Sequence, residues 1–358
     1  MFTHFSHYHR ILLIQFGTVR DVIRTLPIIN ILRFRFPHAK IAWLASSAMC
    51  EFLNSYNIAN HLILAKPGWH NKYSEIKLLR RKLQSFAPDL YLDLHGDLGS
   101  RLAMKLYGSN KRIAINGTRS GFFGKSKNLC QPEHQLDQRL TLLETLDVAG
   151  ASIDYDLPEI PCERHTVDWV ARELGLESVP FAMIGVGVQP NSTHWEIDRF
   201  VQVAEHLCCT HRLPVLIAWQ SEREKRIAEK IVADSGGMAA LTPALTAIQL
   251  TAIARRTSIY VGGDNDFLHI AAAVGTPCIG IFCDENSRYD IPCCSNFQFV
   301  QVQSGETRRN RRGIFAGTAP VRIDNYTYDV IQVCNACDDI LQPETVQQLL
   351  PARQPVDV

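Results

Sequence analysis

The chain of 358 residues is long enough for two domains of ordinary size, each with its own hydrophobic core. Hydrophobic residues make up 46% of the chain and charged residues 20%, which excludes a disordered or fibrous protein. The formal net charge of +1 creates no large field, so we expect no nucleic-acid partner.

The cysteines and the apolar runs indicate the cellular compartment of the protein. Eleven scattered cysteines, an odd number, suit reduced thiols better than a disulfide framework. Every apolar stretch is shorter than the roughly 18 residues of a membrane span, and the run 11–16 is too short for a signal peptide. A cytoplasmic protein is expected. The basic run Arg308 to Arg312 is either a solvated patch or a contact with an anionic substrate or lipid headgroup.

In the first half of the chain, short apolar runs alternate with stretches of helical periodicity. Strands are predicted at 11–16, 40–45, 61–65 and 89–94. Amphipathic helices are predicted at 21–36, 73–86 and 136–150. The last of them ends at Gly150, as a helix C-cap should.

The segment 151–165 carries two prolines and no periodicity, which predicts a linker. The alternation then starts again, with strands predicted at 181–187, 213–219, 258–263 and 277–282. Helices are predicted at 197–209, 222–237, 246–256 and 267–275. Such alternation indicates parallel sheets covered by helices, and hence an α/β protein with two Rossmann-like domains.

The predicted domains span 1–157 and 158–358, with a last helix that is allowed to pack back on the first domain. In sheets of this kind, ligands bind beyond the carboxyl ends of the strands. We therefore expect the functional site in a cleft between the two domains.

The loop after the first predicted strand places a carboxylate near the start of the next helix. Gly17 allows a tight exit from the strand, and Asp21 falls in the first helical turn, where the helix dipole favours its charged form. Two interpretations stay open from these residues alone: Asp21 caps the helix, or it acts as a general base.

A second polar loop follows the predicted strand 258–263, which ends in two glycines. The triplet 264–266 (Asp-Asn-Asp) starts the next helix, and His269 follows one turn later. Three interpretations are open. The triplet is an ordinary N-cap beside a core histidine, a helix N-terminus whose N–H groups bind a phosphate, or an Asp-x-Asp site for a divalent cation.

Five segments share a pattern with one known family, in the same order along the chain. They are 20–27 (RDVIRTLP), 93–116 (DLHGDLGSRLAMKLYGSNKRIAIN), 134–146 (HQLDQRLTLLETL), 193–200 (THWEIDRF) and 264–277 (DNDFLHIAAAVGTP). Each motif is weak alone, but five in order are specific. Over nearly its whole length the chain resembles glycosyltransferase family 9, the ADP-heptose:lipopolysaccharide heptosyltransferases.

The resemblance implies a GT-B fold, in which two Rossmann-like domains face each other across a cleft. It implies an inverting transfer of heptose from ADP-heptose to a hydroxyl of the lipopolysaccharide inner core, without a metal or another cofactor. Asp21 matches the base that removes the acceptor proton. A lipid-anchored acceptor implies peripheral contact with the cytoplasmic face of the inner membrane.

The resemblance also implies binding residues. Donor-binding residues are expected in loops of the second domain: Gln189, Thr193, His194, Glu222, Glu224, Leu245, Asp264, Asn265, Asp266 and His269. Of these, Glu222 or Glu224 matches the acidic residue that holds a ribose or base edge, and Leu245 is expected on the adenine face. Anionic acceptor groups call for arginines of the first domain: Arg80, Arg81, Arg112, Arg119 and Arg139.

Several positions depart from the family pattern. Thr193 replaces a phosphate-binding lysine, Asp266 replaces a glycine beside the diphosphate, and Arg20 replaces the glycine before Asp21. The segment 283–285 replaces Gly-Pro-Thr. A lost cation removes charge-assisted contacts of about 1.5–3 kcal/mol each. The alternatives are therefore a relative that binds a different nucleotide sugar, one that binds without turnover, and a metal-using enzyme.

Overall fold

The computed structural model describes residues 8–106, 111–114, 157–176, 179–187, 195–282, 292, 297–301 and 325–342. The chain divides into two compact units, Met1–Ile160 and Pro161–Val358. Within the described residues, no helix is both long enough and apolar enough to cross a membrane.

The first unit is built on a parallel sheet. Its strands are β1 (Arg10–Ile14), β2 (Lys40–Ser46), β3 (His61–Ala65), β4 (Leu90–Asp93) and β5 (Lys111–Ala114). They lie in the order β3-β2-β1-β4-β5, and each neighbouring pair is parallel. Its helices are α1 (Val19–Arg35), α2 (Cys50–Ser55), α3 (Tyr73–Phe86) and α4 (Leu98–Lys105), with 3-10 turns at Ser47–Met49 and Trp69–Asn71.

The apolar runs of the first unit become strands that are buried on both faces, as parallel strands covered by helices require. Leu12, Ile14 and Tyr91 have no exposed surface. They belong to one core cluster with Leu83 of α3 and Ala103 of α4. The sheet is therefore a rigid support for the loops at its edges.

The second unit repeats this architecture. Its strands are β6 (Ala182–Gly185), β7 (Val215–Ala218), β8 (Ala239–Leu241), β9 (Ile259–Gly263), β10 (Cys278–Phe282) and β11 (Phe297–Gln301). They lie in the order β11-β10-β9-β6-β7-β8, again with parallel pairs. Its helices are α5 (Pro161–Leu174), α6 (Ile197–His211), α7 (Glu222–Asp234), α8 (Ala247–Arg256), α9 (Asp266–Ala273) and α10 (Asn325–Leu341).

Helix α10, the last described helix, packs on the second sheet through Val333, Cys337 and Ile340, which belong to the core of this unit. A buried ion pair anchors it, since Arg199 Nη1 of α6 donates to Asp329 Oδ2 at 2.9 Å. Any packing of a last helix on the first unit stays a prediction.

The α/β class and the parallel sheets are confirmed. The predicted helix 73–86 is reproduced residue for residue as α3, and the predicted strand 61–65 as β3. Other strand and helix ends shift by at most three residues, as apolar runs define the ends of elements poorly. The predicted helix 136–150 lies outside the described residues.

The predicted linker was wrong at its end. Residues from Pro161 onward form α5 rather than a linker, because proline at the first position of a helix needs no N–H partner and is favoured there. The short strands β5, β8 and β11 and the helices α2 and α4 were not predicted. None of these five elements exceeds eight residues, so their periodicity is weak.

Candidate functional site

In both sheets the strand order reverses once, and the carboxyl ends of the two central strands then lie side by side without a shared crossover. Ligands of doubly wound sheets bind at such points. We call the carboxyl ends of β1 and β4 the first switch point, and those of β6 and β9 the second switch point. Ile14 pairs with Asp93 at the first, and Gly185 with Gly262 at the second.

Asp21 lies at the first switch point, in the first turn of α1. Its Oδ2 accepts a hydrogen bond from the backbone N–H of Thr18 at 3.0 Å, which forms half of a capping box. The Thr25 hydroxyl donates to the Asp21 carbonyl at 2.7 Å. The carboxylate is half-buried. The capping interpretation of Asp21 is therefore realised, and a capped carboxylate is also held in one orientation.

Gly17 makes room for this carboxylate. A Cβ on Gly17 would lie 1.8 Å from Asp21 Oδ2 and 2.4 Å from its Cγ. The backbone of Gly17 does not have the positive φ that only glycine adopts readily. Glycine is required here for the close approach of a side chain, rather than for the tight exit that the sequence predicted.

The loop after β4 supplies the other side of the first switch point. Asp93 is fully buried, and its Oδ1 accepts from the N–H groups of His95 and Gly96 at 3.0 and 2.9 Å. Its Oδ2 accepts from the Ser100 hydroxyl at 2.8 Å. Burial raises the pKa of Asp93, and these hydrogen bonds offset the rise in part. The loop is thus built around one buried carboxyl group.

His95 connects the two loops of the first switch point. Its ring meets the ring of Phe16 edge-on at 5.5 Å between centroids, and its Nε2 lies 3.4 Å from Asp97 Oδ2. Asp97 in turn caps α4 by accepting from Ser100 N–H at 2.6 Å. The first switch point therefore presents the imidazole of His95 and the carboxylates of Asp21 and Asp97 on capped, oriented loops. Sequence reasoning missed His95, although the His-Gly pair after a strand was a usable signal.

The proposed acceptor arginines are placed less favourably. Arg80 and Arg81 are exposed on α3. The first residue of this helix lies nearest the carboxyl edge of the sheet, and the two arginines are about 10–12 Å further along the helix axis. The structure does not bring them to the first switch point. Arg112 lies on β5 opposite Tyr91, but only its backbone is described. Arg119 and Arg139 lie outside the described residues.

At the second switch point, Asn265 caps α9. Its Oδ1 accepts from the Leu268 N–H at 2.9 Å and from the Tyr260 hydroxyl at 3.1 Å. Burial raises the pKa of Tyr260 well above its usual range, so this phenol stays a hydrogen-bond donor. Asn265 is the capping residue, and the N-terminus of α9 is locked to the strand below it.

Four glycines remove side chains from the second switch point: Gly185, Gly187, Gly262 and Gly263. A Cβ on Gly262 would lie 2.6 Å from the Gly185 carbonyl oxygen, and a Cβ on Gly185 would lie 1.8 Å from the Tyr260 hydroxyl. Gly187 has a φ of +53°. Bare backbone at a helix N-terminus is the arrangement that accommodates a phosphate. Sequence reasoning used only two of these glycines and missed the other two and Tyr260.

The remaining polar residues of this loop lie around the cap. His269 is 2% exposed, and its Nε2 lies 3.5 Å from Asp264 Oδ1, so it holds the loop from below. Asp266 is the first residue of α9 and is half-buried. Among the described residues, Asp264 and Asp266 do not join a third ligand in a group that fits a metal ion.

Three further predicted donor residues lie at the same carboxyl edge, two in the first turn of α7 after β7 and one in the loop after β8. Glu222 is exposed at the first position of α7. Glu224 is 8% exposed and caps α7, since its Oε2 accepts from the Gln220 N–H at 2.7 Å and the Ser221 N–H at 3.2 Å. Leu245 is half-buried just before α8. Of the two glutamates, only Glu222 keeps its carboxylate on the surface.

Several predicted residues cannot be placed. Gln189, Thr193, His194 and the basic run 308–312 lie outside the described residues. Trp195, next to them, is buried and packs edge-on against Phe200 at 4.9 Å. As for the cysteines, Cys337 is buried in the core and Cys334 packs against it.

Comparison with known proteins identifies the family of this chain. A family model described as glycosyltransferase family 9 (heptosyltransferase) matches residues 76–318. Lipopolysaccharide heptosyltransferase 1 of Pseudomonas aeruginosa is 21% identical over 290 residues, which cover 77% of this chain and 79% of that protein. The match to the family model includes the second switch point and begins after Asp21.

Two solved structures share the fold. The glycosyl transferase family 9 protein of Veillonella parvula superposes with a TM-score of 0.72 at 18% identity, covering 84% of this chain and 87% of that one. Escherichia coli ADP-heptose lps heptosyltransferase II gives a TM-score of 0.70 at 16% identity, covering 95% of this chain and 99% of that one. The fold class that the resemblance implied is confirmed, and the chain belongs to glycosyltransferase family 9, the heptosyltransferases.

Proposed function

We propose that this chain transfers heptose from ADP-heptose to a hydroxyl of a lipopolysaccharide core oligosaccharide, with inversion and without a metal, and that Asp21 is the general base. The observation that carries the proposal is the side-chain-free backbone of the second switch point beside the capped N-terminus of α9. The names of the related proteins, a lipopolysaccharide heptosyltransferase and an ADP-heptose enzyme, indicate the substrate class.

The second switch point is suited to the donor. A diphosphate needs several N–H donors and no competing side chains, and the four glycines and the start of α9 offer both. Glu222, exposed at the first position of α7 on the same carboxyl edge, supplies a carboxylate for a ribose hydroxyl. Leu245, half-buried before α8, supplies an apolar surface for the adenine.

The first switch point is suited to the acceptor. Asp21 is oriented by its cap and by Gly17, and a base must be held within hydrogen-bond reach of the proton that it removes. Lys72, Arg20 and Arg101, which are near the same edge, join the cationic groups that an anionic acceptor requires.

The reaction is a single displacement. The acceptor oxygen forms a bond to the anomeric carbon while the bond from that carbon to the diphosphate oxygen breaks. The acceptor proton passes to the Asp21 carboxylate, and ADP leaves with the bonding pair. The N–H groups at the start of α9 stabilise the charge that develops on the leaving diphosphate, which removes the need for a metal. A lipid-anchored acceptor brings the protein to the inner membrane surface.

The test separates the capping role of Asp21 from its role as a base. Asparagine keeps a carbonyl oxygen for the Thr18 N–H but takes no proton, so Asp21→Asn preserves the cap and Asp21→Ala removes it. We expect both variants to lose about 10²–10⁴-fold in kcat for transfer from ADP-heptose to a heptose-deficient core acceptor. Only Asp21→Ala should also lose stability, by about 1 kcal/mol. ADP affinity should be unchanged in both variants.

An Asp21→Asn variant with wild-type activity would show that Asp21 is a cap and no base. The stereochemistry of the product, read by NMR, tests inversion separately. Activity that survives EDTA distinguishes this mechanism from one that uses Asp264-x-Asp266 to hold a cation.

A second candidate function is a relative that binds a different nucleotide sugar or binds without turnover. The observation that favours it is Asp266, a carboxylate in the first turn of α9 beside the proposed diphosphate site. Thermal-shift titration with a panel of ADP-, UDP-, GDP- and CMP-sugars in EDTA identifies the nucleotide sugar that binds, and the transfer assay decides whether the bound sugar is turned over. Stabilisation by ADP-heptose alone supports transfer of heptose, and stabilisation by another nucleotide sugar alone contradicts that donor.

A further inference from the structure

A cluster of three possible metal ligands lies in the second unit, outside both switch points. His206 and His211 lie on the last two turns of α6, and Asp338 lies on α10. Each histidine Nε2 is 2.7 Å from the same oxygen, Asp338 Oδ1, and the three ligand atoms all lie within 4.8 Å of one another. It is the single group of this kind among the described residues.

The place of the cluster in the fold separates it from the donor site. Helix α6 begins at the carboxyl edge of the second sheet and runs away from it, so His206 and His211 are about 14 and 21 Å along the axis from its first residue. The cluster therefore joins α6 and α10 towards the opposite edge of the sheet. The buried pair of Arg199 and Asp329 joins the same two helices closer to the switch point.

The chemistry of the cluster matches a zinc ion. Two imidazole nitrogens and one carboxylate oxygen form a ligand set that zinc uses when its remaining position holds water. Ligands of a tetrahedral zinc ion stand about 3.3 Å apart at the usual bond lengths. The contacts of 2.7 Å therefore widen by about 0.6 Å when an ion enters, which side-chain rotation of three partly exposed groups supplies.

A neighbouring hydroxyl fits both the empty and the filled cluster. Thr210 Oγ1 lies 3.4 Å from His206 Nδ1. With Nε2 protonated and donating to Asp338, the hydroxyl donates to Nδ1. With Nε2 bound to a metal, Nδ1 carries the proton and donates a hydrogen bond to the Thr210 hydroxyl, which then fixes the orientation of the imidazole.

We propose that His206, His211 and Asp338 form a zinc site, completed by water, that joins α10 to α6. The site is independent of the proposed transferase activity, because it shares no residue with either switch point. Its effect is on stability: an ion that binds the folded chain and not the unfolded chain raises the free energy of unfolding of the second unit.

The test measures zinc binding directly. The EDTA-stripped wild-type chain is compared with Asp338→Asn, His206→Gln and the control Asp339→Asn, which changes an exposed carboxylate next to the site. His4, His7 and His9 are replaced by alanine in all four proteins, because the amino-terminal segment offers three further imidazoles. Calorimetric titration with Zn²⁺ gives stoichiometry and affinity, and Co²⁺ absorption gives the coordination geometry.

We expect one Zn²⁺ equivalent in the wild-type and Asp339→Asn backgrounds, and an affinity at least about tenfold weaker in the two ligand variants. Zinc should raise the midpoint of thermal unfolding only where the site is intact. Equal stoichiometry and affinity in all four proteins would overturn the proposal. The three side chains would then only join α6 and α10 by hydrogen bonds. His206→Gln retains a donor to Asp338, so it decides the matter if Asp338→Asn fails to fold.

Discussion

The two switch points share a topology and differ in what they present. The first carries side chains: Asp21 capped over Gly17, and His95 beside the buried Asp93. The second switch point lacks side chains at four glycines, and it offers backbone N–H groups at the start of α9. Under the proposed function, the carboxyl edge of a parallel sheet serves proton transfer where it carries side chains, and anion binding where it carries bare backbone.

The largest effect should come from Gly17→Ala. The new Cβ would displace the Asp21 carboxylate, so we expect a loss of activity close to that of Asp21→Ala, about 10²–10⁴-fold in kcat. Stability should fall by only about 1 kcal/mol, the energy of the cap. The transfer assay and thermal unfolding measure the two effects.

The matched control for this variant is Gly99→Ala, at the start of α4 on the same edge. There the nearest atom to a new Cβ would be 3.4 Å away, and activity should be retained. If Gly17→Ala stays as active as Gly99→Ala, the position of the Asp21 carboxylate does not matter to catalysis.

The second largest effect concerns stability at the second switch point. In Gly262→Ala the new Cβ would meet the Gly185 carbonyl oxygen at 2.6 Å, a backbone atom that has no rotamer by which to move away. We expect a loss of about 1–3 kcal/mol in the free energy of unfolding, with weaker ADP binding. In Gly263→Ala the nearest atom is 3.3 Å away, so the loss should be smaller. Equal denaturant midpoints for the two variants would contradict this geometry.

A smaller effect is expected for Asp266→Asn. The substitution removes a negative charge from the first turn of α9, where the proposed diphosphate binds. Charges near a helix N-terminus change energies by about 0.3–1 kcal/mol, so ADP affinity should rise about two- to fivefold. Calorimetry at low ionic strength measures the rise, and Asp264→Asn serves as a comparison because its carboxylate faces His269. Unchanged or weaker ADP binding in Asp266→Asn would place the diphosphate elsewhere.

The smallest effect is expected for Asp93→Asn. Its carbonyl oxygen still accepts from the His95 and Gly96 N–H groups, and its amide donates to the Ser100 hydroxyl, which turns to the Asp97 carbonyl 3.0 Å away. The free energy of unfolding at neutral pH should change by no more than about 0.5 kcal/mol. Asp93→Ala, which leaves these donors buried without an acceptor, should cost about 1–3 kcal/mol.

The pH dependence sharpens this prediction. Burial raises the pKa of Asp93 in the folded chain, so the folded state binds its proton more tightly than the unfolded state does. Wild-type stability therefore falls as the pH rises from the ordinary carboxyl pKa through the raised one, and this fall should be absent in Asp93→Asn. Parallel stability curves from pH 4 to pH 8 would show that Asp93 ionises normally.

The sequence was informative where one local rule acted over many residues. The helix α3 was predicted residue for residue because its apolar side chains repeat at helical spacing. The glycine pair followed by Asp-Asn-Asp marked the start of α9. The sequence did not predict β8 and β11, because strands of so few residues are stabilised by pairing with neighbouring strands of the sheet. It also placed Pro161 in a linker, although this residue starts a helix.

Local order therefore belonged to the sequence: the alternating α/β class, the capped polar loops and the family pattern are all carried by residues close in the chain. The tertiary structure alone decided which loops meet. It placed Gly185 against Tyr260, 75 residues away by the numbering, and brought His206 and His211 to Asp338, separations of 132 and 127 residues. Contacts of this kind depend on strand order and helix packing, which leave no periodic mark on the chain.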